Sequence, residues 1–95
     1  MDSPHRVVLH EHRFEEEFAA LEPDPERREE IISGIEWALS RNPERGAFTE
    51  GQGVWIRELC DPTAQKRFWI FYTFNDTTVI LLSITAVEAW EIWPE

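Results

Sequence analysis

The sequence predicts an α+β domain in which two helices pack on one face of a small, antiparallel-rich sheet, in the order β-α-α-β-β-β. Three observations carry the prediction. Two segments of the first half repeat apolar residues at helical spacing. Three segments of the second half are rich in β-branched and aromatic residues that alternate with period two. Proline, asparagine and aspartate stand at the joints between them. Ninety-five residues is the size of one domain, expected over 1–95 with a core of about 6–85 and an apolar tail, 86–95. Five Trp and six Phe give a core this small a large buried area per residue.

Taken in order, Arg6–His10 is a short β-branched run and predicts a strand. In Glu11–Leu21, Phe14, Phe18 and Leu21 fall on one helical face, and Glu15, Glu16 and Glu17 form a solvated charge run. Pro23-Asp24-Pro25 breaks the chain. Asp24 is suited to cap a second helix with Pro25 at its first position, where a missing N–H costs nothing. Glu26, Glu29 and Glu30 lie near the positive end of that helix. Its apolar stripe is Ile31, Ile35, Ala38 and Leu39, and it runs to about Arg41, because Asn42 precedes proline and avoids the α region. Trp37 lies off the stripe, either as a rim residue or as a contact for a partner. Glu44–Gln52 is a loop by its glycine content.

Val54–Leu59, Lys66–Phe74 and Thr77–Thr85 are the remaining strands, joined by the turn Asp61–Gln65 and by a two-residue connection, Asn75-Asp76. Alternation places Phe68, Ile70, Tyr72 and Phe74 on one side of the middle strand and Arg67, Trp69, Phe71 and Thr73 on the other. Unpaired arginine rarely enters a core, so Arg57 and Arg67 are expected together on the face away from the helices, with Trp55, Trp69 and Phe71. That face is either a binding surface or is covered by the tail, which offers Trp90, Ile92 and Trp93. The expected core is Phe14, Phe18, Ile31, Ile35, Leu39, Ile70, Tyr72, Ile80 and Leu82.

The net charge is −10, and it is unevenly spread. Residues 1–52 hold thirteen acids and six bases, residues 53–85 three of each, and the last ten residues three acids alone. An acidic body repels phosphates at long range, so any RNA contact is local to the neutral middle segment. The lone Cys60 has no ligand or thiol at useful spacing, the first seventeen residues are mostly polar and charged with no apolar run like a signal peptide, and the apolar runs are strand-length. These features point to the cytoplasm and away from a membrane. His5, His10 and His12 lack a second cluster and predict surface histidines and no metal site. No phosphate loop or nucleophilic triad is present, and no cofactor is expected.

Several words of sequence, in this linear order, resemble the RelE/ParE toxins of type II toxin–antitoxin systems. They are Phe14…Leu21, Ile35…Leu39-x-x-Asn42-Pro43, Arg57-Glu58-Leu59, Arg67-Phe68-Trp69-Ile70-Phe71-Tyr72 and Val79-Ile80-Leu81-Leu82. The resemblance covers roughly residues 6 to 93. It implies a toxin-like component held by a cognate antitoxin, acting on mRNA at the ribosome or, as a further class, on DNA gyrase. A non-catalytic binding or self-associating domain, as in a homodimer, is the alternative. Carried over by position, the family's basic residues on the first hairpin strand fall at Trp55 and Arg57, and its middle-strand arginine at Trp69, with Arg67 nearby. Its later Lys/Arg falls within Ala86-Val87-Glu88, and its tyrosine at Trp93. The resemblance thus implies Arg57 and Arg67 as catalytic residues, flanked by Trp55, Trp69, Phe71 and Trp93. Arginines supply charge to a phosphorane, and the tryptophans supply no proton transfer.

Overall fold

The computed structural model describes residues 6–61 and 66–88 of the chain. The first strand, β1 (Val7–His10), leads into helix α1 (His12–Leu21) and then α2 (Pro25–Arg41). A 3-10 turn, Pro43–Arg45, precedes β2 (Ala47–Thr49), β3 (Val54–Asp61), β4 (Lys66–Phe74) and β5 (Thr78–Glu88). The five strands make one sheet in the order β1-β5-β4-β3-β2. Strand β1 runs parallel to β5, and every other pair is antiparallel. The architecture is therefore α+β, with both helices on one face of a mostly antiparallel sheet. No helix among the described residues is long and apolar enough to cross a membrane.

Local chemistry sets the helix ends. The Asp24 carboxylate accepts from the Glu26 N–H at 3.1 Å, and Pro25 opens α2, as expected of a cap followed by proline. At the other end Asn42 donates its N–H to Ala38 O, and Pro43 cannot continue the helix. Helix α1 begins where β1 stops. The Glu11 N–H still bonds Leu81 O as a further rung of the parallel ladder, and its own carbonyl already accepts from Glu15.

The core lies between helices and sheet. Phe14 and Phe18 of α1 and Ile35 and Leu39 of α2 pack on Phe68, Ile70 and Tyr72 of β4 and on Val79, Leu81 and Ile84 of β5. Ile31 packs at its margin. The expectation of Ile80 and Leu82 as core is corrected, because the buried side of β5 has the opposite parity. Phe74 pairs with Val79, so Val79 and Leu81 point with Tyr72 toward the helices. A β-bulge opposite Phe71/Tyr72 then inserts one residue, and the buried positions resume at Ile84.

Two further elements differ from the expected outline. Part of the loop 44–52 is the strand β2, which pairs with β3. The β4–β5 connection is longer than two residues and is built by Asn75, whose side-chain oxygen accepts the N–H groups of Thr77 and Thr78 at 2.9 Å each.

Glu17 departs from the solvated charge run predicted for it. Strand β1 pairs with β5 only as far as Leu81, which leaves the next edge of β5 open. The Glu17 carboxylate closes it, accepting from the Ile84 N–H at 3.0 Å and the Ser83 hydroxyl at 2.6 Å. The Ser83 hydrogen bond, helped by Ile84 and Arg13, holds this carboxyl below its ordinary range although partial burial opposes the shift.

Candidate functional site

The register of β3 on β4 decides which site residues meet. Directly paired residues in an antiparallel ladder share a face. Trp55 pairs with Tyr72, Arg57 with Ile70 and Leu59 with Phe68, and those three β4 residues are core. Trp55 and Arg57 therefore lie on the helix side. Glu58 pairs with Trp69 and Ile56 with Phe71, so Trp69, Phe71 and, by alternation, Arg67 lie on the outer side. The expectation that Arg57 and Arg67 share the outer face is corrected. Arginine on the helix side is tolerated because α2 ends before covering β3, and the Arg57 side chain stays partly exposed. Trp93 lies outside the described residues.

Arg67 is engaged with Glu58 at 2.7 Å, a surface pair contributing roughly 0–1 kcal/mol. Arg57 donates to Asn42 O, the C-cap carbonyl of α2, in a long 3.4 Å contact, and so lies beside the end of that helix.

Around Arg57 the helix-side surface is aromatic. Phe48 of β2 packs on Trp55 with ring centres 5.3 Å apart, and Trp55 packs on Phe74 at 5.1 Å. The Arg6 guanidinium lies over the Phe74 ring at 5.4 Å, fixed by a 2.8 Å bond from its Nε to Asn75 O. Phe48 and Arg6 were not among the expected site residues. One falls in a segment that reads as loop and the other at the start of a strand, and only the fold brings Phe48 to Trp55 and Arg6 to Phe74.

Tyr72 fixes the floor of this surface. Its buried hydroxyl donates to Pro43 O and lies close against Gly46. Burial raises its pKa above the ordinary value of 10.0, against the opposing charge of Arg57. Gly46 is required by this contact, because a Cβ there would crowd the phenol oxygen and meet Ile56 O at 2.7 Å. A hydroxyl so committed serves packing and not proton transfer. The surface offers positive charge and stacking planes.

Next to it, between α2 and the β3–β4 pair, runs an apolar cleft of about 270 Å³. Ile31, Gly34, Leu59 and Phe68 line it, with Arg27 and Glu30 at its rim. A Cβ at Gly34 would meet nothing within 4 Å, so the helix stays low on this side.

The histidines are placed differently from one another. His12 is on the surface beside Glu16, whereas His10 is half-buried, bonded to Glu36 at 2.9 Å and packed on Phe14. The expectation of surface histidines is thus corrected for His10, which β1 aims to the helix side opposite Leu81. His5 lies outside the described residues. Among the described residues no three potential ligands gather as a metal site. Trp37 is 62% exposed, with the Arg41 guanidinium 4.5 Å from its ring centre. No family model, no curated protein and no solved structure matches this chain.

Proposed function

We propose that the chain is a toxin-like component of a type II toxin–antitoxin system, acting on mRNA translation and neutralised by an antitoxin. The observation that carries the reading is the position of Arg57. It falls in the word Arg57-Glu58-Leu59, on the strand where the resemblance puts a basic residue, and it stands part-exposed among aromatic side chains. A guanidinium beside stacking rings suits a phosphate and its base. The apolar cleft along α2 suits the side chains of an antitoxin segment.

A second reading, a binding domain that keeps the fold without nuclease chemistry, is favoured by the separation of Arg57 and Arg67 onto opposite faces. One arginine alone stabilises charge but moves no proton.

Expression of the chain alone, with growth and mRNA integrity followed, separates the readings. Growth arrest with mRNA cleavage, relieved by the product of the neighbouring reading frame and lost in Arg57→Ala, is the expected result. Binding of that product without arrest supports the non-catalytic reading. DNA damage with intact mRNA transfers the activity to gyrase. The absence of both arrest and binding overturns the proposal.

A further inference from the structure

The outer face of the sheet has a composition unlike the rest of the molecule. Val7 and Leu9 of β1, Ile80 of β5, Phe71 and Trp69 of β4 and Ile56 of β3 share it by register. Leu9 is 51% exposed, Val7 60% and Trp69 39%, and neither helix lies on this side. Among the described strand residues the charged side chains of this face are Glu58 and Arg67, and they neutralise each other at 2.7 Å. Counted over the described strand residues, this broad surface carries no net charge in a chain of net charge −10.

We propose that two copies of the chain meet through this face, sheet on sheet. Charge selects the occupant. Two copies repel each other wherever their acidic surfaces approach, and they come together with least repulsion where the local charge cancels. Four strand spacings of about 4.8 Å give a width of about 19 Å, and nine residues along β4 give about 30 Å. The projected area is at most about 600 Å², and a corrugated surface exceeds its projection. That approaches the roughly 800 Å² per partner of a specific interface. A two-fold axis lying in the plane of the interface sets the same patch of both copies face to face, with the sheets about 10 Å apart. The closed pair leaves the helix-side surface around Arg57 open, so the inference is independent of the proposed function.

Sedimentation of the full chain across the micromolar range tests it. The expected result is a concentration-dependent dimer. Leu9→Glu and Trp69→Glu each put a charge into the contact and should raise the dissociation constant roughly tenfold or more, with an unchanged circular dichroism spectrum. Leu9 is half exposed, so that variant keeps its fold. Trp37→Ala, away from this face, should leave association as it is. A monomer at every concentration overturns the proposal, as does a dimer indifferent to both face substitutions. A monomer that associates only after removal of residues 89–95 also overturns it, and assigns the face to that segment.

Discussion

Replacing Tyr72 by Phe removes one oxygen from the largest fully buried side chain among the described residues and tests how the 3-10 turn is held to the sheet. The phenol donates to Pro43 O, and Pro43 is itself buried. The substitution leaves that carbonyl without its partner in a site closed to water. A buried polar group so orphaned costs about 1–3 kcal/mol, and relaxation of the turn offsets part of that, so a net loss of about 2 kcal/mol is expected. With a urea m-value of about 1.5 kcal/mol/M for a domain of this size, the midpoint should fall by about 1.3 M at constant slope. The pH dependence gives a second readout. Burial raises the folded-state pKa of the phenol above 10.0, so the folded chain holds that proton more tightly than the unfolded one. The resulting stability is complete below about pH 10 and is lost as pH rises through the folded value. Tyr72 is the sole tyrosine, so tyrosinate absorbance during alkaline titration reports on this residue alone. A stability change below about 0.5 kcal/mol, in the range of surface substitutions, would refute the argument that the turn hangs on this hydroxyl.

Ile35→Ala should cost about 2–5 kcal/mol by chemical denaturation, since Ile35 is 1% exposed and faces the sheet. Glu17→Ala should cost about 1–3 kcal/mol, because it strips the Ile84 N–H and the Ser83 hydroxyl of their acceptor at the open edge of β5. The Glu17 carboxyl titrates below its ordinary 4.5 in the folded chain, so the stability it adds is present above that pH and lost as pH falls through the lower folded value. An acid-unfolding midpoint that does not move in Glu17→Gln would contradict this.

The helices were legible in the sequence because spacing announces both of them, and the Asp24 cap and the Asn42-Pro43 stop announce α2 a second time. Phe14 and Phe18, Ile35 and Leu39, and the Asp24-Pro25 start all stand where the pattern places them. The faces of β3 and β5 were not legible, for two different physical reasons. In Val79-Ile80-Leu81-Leu82 both parities are apolar, so hydropathy holds no information about which side is buried, and the turn at Asn75 and the bulge decide it. On β3 the tendency of arginine to avoid a core does not fix the face, because the helices only partly cover it. Arg57 shares a side with Ile70 and still reaches solvent past the end of α2. The aromatic surface gathers Arg6, Phe48 and Phe74 from three elements, and no spacing within one segment encodes such a meeting.

The pairing of β1 with β5 has a consequence in time. Val7 pairs with Thr78, so the first strand waits for a partner made roughly seventy residues later. At about 5–20 residues per second of synthesis, that interval is about 4–14 s. During it Phe14, Phe18 and the apolar stripe of α2 have no β5 to pack on. The order of events follows from the topology. The β3–β4 hairpin can close early from local contacts, while the helices and β1 remain uncommitted. The native core then forms in one late step, when β5 enters between β1 and β4. Sequence changes in β5 should therefore act on folding speed as strongly as on final stability.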